Sequence, residues 1–158
     1  MGKIYTAMGL MSGTSLDGVD VSIIKSDGHK EISLIFDRYF PYNKELTLKI
    51  LNIRQKIINT EKLNKLLDEI NNLERDITLF HVKAVKEVLE QTKYEVDLIG
   101  FHGQTIFHDP GKRISKQLGD GKLLSQLTKK KVIYNFRQND LENGGQGAPL
   151  APIFHNTL

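Results

Sequence analysis

Apolar and polar positions alternate from the start of the chain. "IYTAMGLM" (4–11) reads as a buried strand. In "VDVSII" (19–24), Val19, Val21 and Ile23 share one face and Asp20 and Ser22 the other, which is the two-residue period of a half-buried strand. After the turn signal "SDGHK", a third strand is expected over "EISLIFDRYF" (31–40). The pattern predicts an antiparallel meander of three strands.

The period then lengthens. One helix is expected after Pro41, with Asn43 as its cap. A second is expected to run unbroken from about Thr60 to Thr92, because Leu63, Leu66, Leu67, Ile70, Leu73, Ile77, Phe80, Ala84, Val85 and Val88 recur at spacings of three and four. The repeat is not a strict heptad, so this stripe reads as a face packed on a sheet rather than a coiled-coil seam. "VDLIGFH" (96–102) reads as a buried strand that ends at "GQT". Strand, helix and strand follow in "SKQLGDGKLLSQLTKKKVIYNF", and the stretch from Arg137 to Pro149 reads as loop. The class is α/β.

Composition narrows the function classes. With 158 residues, 39% hydrophobic and 26% charged, the chain is expected to fold as one domain. Cysteine is absent, which excludes disulfides, thiolate metal ligands and a thiol nucleophile. The net charge of +3 is spread along the chain, and "KKK" (129–131) suits a solvated helix end better than a nucleic-acid patch. No window approaches the roughly 18 apolar residues of a membrane helix. The expectation is a soluble, cytoplasmic protein that binds neither nucleic acid nor membrane; a small basic nucleic-acid binder is the reading that charge alone would support.

Three stretches carry candidate chemistry. In "MSGTSLDGVD" (11–20), Gly13 and Gly18 have the spacing that opens a Walker A loop, but Val19 and Asp20 stand where its Lys and Ser or Thr belong. The turn also enters a strand, whereas a Walker loop opens a helix. A glycine-containing hairpin tip can still bind phosphate through backbone N–H groups and through the hydroxyls of Ser12, Thr14 and Ser15. The alternative is an ordinary hairpin turning at Asp17–Gly18. "GFHGQTIFHDP" (100–110) places His102, Gln104, Thr105 and His108 just past a strand end, where ligands of α/β proteins collect. A zinc site there lacks a clear third ligand. "NFRQNDLENGGQGAPL" (135–150) offers Arg137, whose planar fork suits a carboxylate or phosphate, with a structural Arg137–Asp140 pair as the alternative.

Taken in order, "GLMSGTSLDGVD", "GFHGQTIFHDP", "LGDG" and "NFRQNDLENGGQGAPLAPIFH" closely resemble the N-terminal part of the anhydro-N-acetylmuramic acid kinase family. The resemblance implies an α/β, RNase H-like domain of the actin, sugar kinase and Hsp70 superfamily: a three-stranded antiparallel meander followed by helices and further strands. It implies that Gly13, Thr14, Ser15, Leu16, Asp17, Gly18, Val19 and Asp20 form the ATP-binding segment, with Mg2+ as the accompanying ion and no ligands assigned to it. Gln104, Thr105 and Arg137 would line the sugar site, Arg137 facing the lactyl carboxylate.

The implied reaction uses water and ATP to open the 1,6-anhydro bridge of anhydro-N-acetylmuramic acid and phosphorylate the 6-oxygen, in peptidoglycan recycling. The resemblance places the family's catalytic Asp beyond residue 158. The expectation is therefore an N-terminal actin-like domain over 1–158, inactive alone, either a fragment of a longer enzyme or one piece of a split one, with a separate C-terminal half or a homodimer as the expected partner. An inactive remnant or a non-catalytic ligand-binding domain is the alternative.

Overall fold

The computed structural model describes residues 3–155. The meander forms as the alternation predicts, with β1 (Tyr5–Ser12), β2 (Gly18–Ser26) and β3 (Ile32–Pro41) paired antiparallel. Val19, Val21 and Ile23 are fully buried on one face, together with Met8 and Leu10 of β1. Each such side chain contributes roughly 1.5–3 kcal/mol of burial, so the face they share is fixed.

That face is covered by helices. In α1 (Lys44–Lys56), the Asn43 side chain accepts from the Leu46 N–H at 2.8 Å, and Leu46, Ile50 and Ile53 turn inward. The second helical stretch is two helices, α2 (Thr60–Lys65) and α3 (Leu67–Thr92), and not the single one predicted. At Leu66 (φ −103°, ψ 12°) the N–H closes a tight turn onto the Leu63 carbonyl. Four-residue spacing would put Leu63 and Leu67 on one face of an unbroken helix; the break leaves Leu63 buried and Leu67 48% exposed. From Ile70 onward the predicted stripe holds, and Ile70, Leu73, Ile77, Val85 and Val88 lie in the core.

The remaining strands extend the sheet to the order β3-β2-β1-β4-β5, with β6 also on β4. The strand predicted over 96–102 is longer than expected: β4 runs from Leu98 to Asp109, through "GQTIFHD". Its first half pairs parallel with β1 and with β6 (Lys131–Tyr134). Its second half is kept extended by antiparallel pairing with β5 (Ile114–Leu118). The changeover falls at Gly103, at φ +71°, where any Cβ would meet the Leu118 carbonyl, so this position requires glycine. Helix α4 (Gly121–Thr128) is capped by the Asp120 carboxylate, which accepts from the Lys122 and Leu123 N–H groups.

The stretch predicted as loop after Arg137 contains a helix, α5 (Phe136–Glu142), followed by the short α6 (Pro152–His155). Fully buried Leu141 anchors α5. Burial of one side chain against the sheet outweighs a polar, glycine-rich local sequence. This second face of the sheet carries much less cover than the first. A groove of about 770 Å³ runs there between the β2–β3 end, lined by Ile24 and Ile32, and the Phe136 and Asn139 side of α5.

Candidate functional site

The turn joining β1 to β2 is built by tying its carbonyls into the protein. The Gly13 carbonyl accepts from Gln104 Nε2 on β4 at 2.8 Å, and the Thr14 carbonyl from Arg54 Nη1 on α1 at 3.1 Å. The Leu16 carbonyl accepts from Thr47 Oγ1 at 3.2 Å, and the Asp17 carbonyl from the Tyr42 N–H at 2.8 Å. In a planar trans peptide the C=O and the following N–H point in opposite directions. The N–H groups of Thr14, Ser15 and Asp17 are therefore turned away from the groups that hold the carbonyls, and Thr14, Ser15 and Asp17 are exposed. Successive outward N–H groups, such as those of Thr14 and Ser15, are of the kind that can receive an anion.

The turn is not the Asp17–Gly18 hairpin that local sequence allows. It bends at Leu16, a non-glycine residue at φ 58°, whose N–H reaches back to the Gly13 carbonyl. That conformation costs about 1–2 kcal/mol, and it is held because the Leu16 side chain is 2% exposed in the core. Gly18 instead starts β2, where a Cβ would run into the Phe40 carbonyl and the Tyr39 ring. Of the eight predicted nucleotide residues, Leu16, Gly18 and Val19 are buried and can offer only backbone, whereas Thr14, Ser15, Asp17 and Asp20 are exposed. Ser15 Oγ donates to Asp17 Oδ1 at 2.6 Å. The Tyr39 phenol is pushed up by desolvation and then by the Asp17 and Asp20 carboxylates, both of which face it.

Beneath the turn lies a buried polar cluster. Ser12, expected to offer its hydroxyl to a ligand, is 1% exposed and faces inward, 3.2 Å from His81 Nε2 and 3.4 Å from the Gly103 carbonyl. His81, in the middle of α3, has Nδ1 2.8 Å from the Ile77 carbonyl, and its ring meets Phe101 edge-on. Burial pushes its pKa down to about 4, so the ring is neutral. A carbonyl can only accept, which assigns the proton to Nδ1 and leaves Nε2 to accept from Ser12. Gln104 is also fully buried, and its Oε1 meets no donor among the described residues. Nearby, burial raises the Tyr42 phenol to about 12, and its hydroxyl meets no hydrogen-bond partner among the described residues.

On the opposite face of β4, Arg137 of α5 donates from Nε to His102 Nε2 at 2.8 Å and from Nη1 to the Gly147 carbonyl at 2.7 Å. His102 Nδ1 lies 2.6 Å from the Gly103 carbonyl, which makes Nδ1 the donor and Nε2 the acceptor. Burial first, and the Arg137 charge after it, lower its pKa. Asp140 does not pair with Arg137, the alternative raised from sequence; its Oδ2 accepts from the Gly147 N–H at 2.8 Å. Thr105 is half-exposed, and its Oγ1 accepts from Gln117 Nε2 at 3.2 Å. Ser115 lies on this side as well, with Oγ 3.1 Å from His108 Nδ1.

The structure thus separates the three predicted sugar residues. Thr105 and Arg137 lie toward the α5 face, while Gln104 points under the turn. His102, His108, Thr105 and Gln104 lie within β4 rather than beyond a strand end, because β5 extends the strand past them. Sequence reasoning missed Arg54, Thr47 and Tyr42, which hold the turn, and His81. No local signal marks these residues, since each sits in an ordinary helical or strand-end context. Among the described residues, no group of three His, Cys, Asp or Glu side chains could hold a metal ion, and no helix is long and apolar enough to cross a membrane.

A family model described as anhydro-N-acetylmuramic acid kinase matches residues 5–158. Proteins named anhydro-N-acetylmuramic acid kinase align along the chain: one from Pelagibacter ubique is 58% identical over all of it. One from Agrobacterium fabrum is 42% identical, again over all of it, and one from Gluconobacter oxydans is 43% identical over 96% of it. The aligned chain spans 42%, 43% and 42% of these three relatives, less than half of each.

Proposed function

The chain belongs to the anhydro-N-acetylmuramic acid kinase family, and from that premise we propose that residues 1–158 form the N-terminal, actin-like domain of a cytoplasmic ATP-dependent kinase acting on 1,6-anhydro-N-acetylmuramic acid. The β1–β2 turn is its nucleotide segment. One observation carries this reading: four carbonyls of the turn, those of Gly13, Thr14, Leu16 and Asp17, are each held by a protein donor. The opposed N–H groups at the exposed residues Thr14, Ser15 and Asp17 are left to a phosphate, with no Walker lysine required.

The residues present fit the cofactor. Thr14 adds an exposed hydroxyl beside the N–H groups, Ser15 Oγ being spent on Asp17, and the exposed Asp17 and Asp20 carboxylates are hard oxygen donors of the kind Mg2+ takes. ATP, when bound, supplies the phosphoryl group for the sugar 6-oxygen. Thr105 and Arg137 would meet the sugar. Of the five N–H donors of Arg137, His102 and Gly147 engage two, so the rest of the guanidinium is available to a carboxylate. The carboxylate base and the second wall of the cleft would come from the part of the relatives that this chain does not cover.

The test is an NMR titration of the chain with Mg·ATP. Amide shifts confined to residues 13–20 are expected, and shifts absent or centred elsewhere would sink the nucleotide assignment. Mixing the chain with the C-terminal part of the Pelagibacter relative is expected to yield the 6-phosphorylated sugar; turnover by the chain alone would refute the placing of the base outside it.

A further inference from the structure

Gln104 and His81 are buried polar groups that no step of the proposed chemistry uses. Both act on the same short piece of backbone, at the point where β1 becomes the turn. Gln104 Nε2 reaches the Gly13 carbonyl at 2.8 Å across 91 positions of sequence. His81 Nε2 accepts from Ser12 Oγ at 3.2 Å across 69. The pairing of β1 with β4 shifts register between Leu10 and Ser12, so the ladder alone does not set where Gly13 sits. A side-chain amide and a hydroxyl–imidazole pair complete what the ladder leaves open.

We propose that Gln104 and His81 are positioning residues: Gln104, through the Gly13 carbonyl, and His81, through the Ser12 hydroxyl, set the turn in its phosphate-receiving shape before any nucleotide arrives. Turning the Gly13 carbonyl down onto Gln104 turns the Thr14 N–H up, because the two belong to one peptide unit. His81 is suited to this as a fixed acceptor. Its Nδ1 proton is committed to Ile77 and its ring is wedged against Phe101, so Nε2 has one orientation and one partner. Preorganisation of this kind favours binding because the turn loses less freedom when the ligand arrives. The assignment of phosphate rests on the nucleotide reading above; the positioning itself does not.

The experiment therefore begins without nucleotide. Hydrogen exchange is measured at the Leu16 amide, which closes the turn onto Gly13, and at the Val21 amide inside the sheet, in the native chain and in Gln104→Leu, Ser12→Ala and His81→Phe. Gln104→Leu is expected to speed exchange at Leu16 about tenfold, and Ser12→Ala about fivefold, with Val21 changed far less. Equal acceleration at both amides would mean general destabilisation and would overturn the proposal. Should His81→Phe fail to fold, Ser12→Ala removes the same link with almost no change of volume. Where it folds, the double variant Ser12→Ala/His81→Phe is expected to match the larger single effect, since both remove one link; multiplied effects would overturn the pairing.

The ring nitrogens of His81 give a separate signature. Nitrogen-15 spectra are expected to show the Nδ1–H tautomer, and the Nε2–H tautomer would refute the role of acceptor. Mg·ATP is then added. If the native chain binds it, each variant is expected to bind about tenfold more weakly, and unchanged affinity would overturn the functional half of the proposal. If the native chain shows no response, the nucleotide reading fails, and the exchange contrast still decides whether the turn is held from below.

Discussion

His81 and His102 make similar local contacts and end in different roles. Each has Nδ1 on a backbone carbonyl, and each leaves Nε2 to accept, from Ser12 in one case and Arg137 in the other. They lie on opposite sides of β4 and share Gly103, whose carbonyl takes the His102 proton at 2.6 Å and approaches Ser12 Oγ at 3.4 Å. His81 is sealed under the turn at 0% exposure, with its acceptor spent on a neutral hydroxyl. His102 remains half-exposed and holds an arginine that keeps donors to spare. Burial, not residue type, divides a scaffold from a candidate binding group.

The largest test of that comparison removes what the two clusters share. Gly103→Ala puts a side chain at φ +71° against the Leu118 carbonyl, and is expected to cost roughly 3 kcal/mol or more in urea unfolding. It should disturb the side-chain signals of both histidines; loss confined to one would show that Gly103 does not couple them.

Acid tests the buried member through stability. An unfolded histidine takes up its proton near pH 6.5, whereas His81 folded does so only near 4, so between these values the unfolded state binds more protons and stability falls as pH falls. His81 alone is expected to remove about 3 kcal/mol across that window, and His102, also lowered, acts in the same direction. Denaturation midpoints measured from pH 7 to 4 check this; His81→Phe should flatten most of the slope, and an unchanged slope would place the titration elsewhere.

Arg137→Met probes the other side. Its two bonds join partly exposed groups, so a stability loss of only about 1 kcal/mol is expected, with Leu16 exchange unaffected. In a reconstituted kinase the same change should weaken sugar binding by about 100-fold, the scale of a lost charge-assisted contact. Equal weakening by Arg137→Lys would point to a bidentate role, and full rescue by Lys to simple charge. Lys65→Ala sets the floor: it breaks an exposed pair with Glu61 one helical turn away, and a change under about 0.5 kcal/mol is expected in the same unfolding assay.

The fold was legible in the sequence wherever alternation was local. The faces of β2, the Asn43 cap and the strand–helix–strand unit after Ser115 all follow from neighbours within a few residues. The break at Leu66 and the helix α5 did not, because each depends on what one leucine packs against in the folded sheet. The candidate site divides the same way. The exposed tip at Thr14 and Ser15 could be chosen from its small residues, but Gln104 could not be told from Thr105 with "GQT" placed past the end of its strand.

By itself, then, the sequence determined the meander, the apolar stripe of α3, the order of motifs that marks the family, and the position of the turn along the chain. Only the tertiary structure decided which polar groups hold that turn and which are left to a ligand. The reason is distance along the chain: the bonds that orient the turn join residues 31, 40, 69 and 91 positions apart. The positive φ at Gly103 also breaks the alternation of β4, so that Gly103 and Gln104 are both buried in succession. A two-residue period assigns faces only while the strand keeps it.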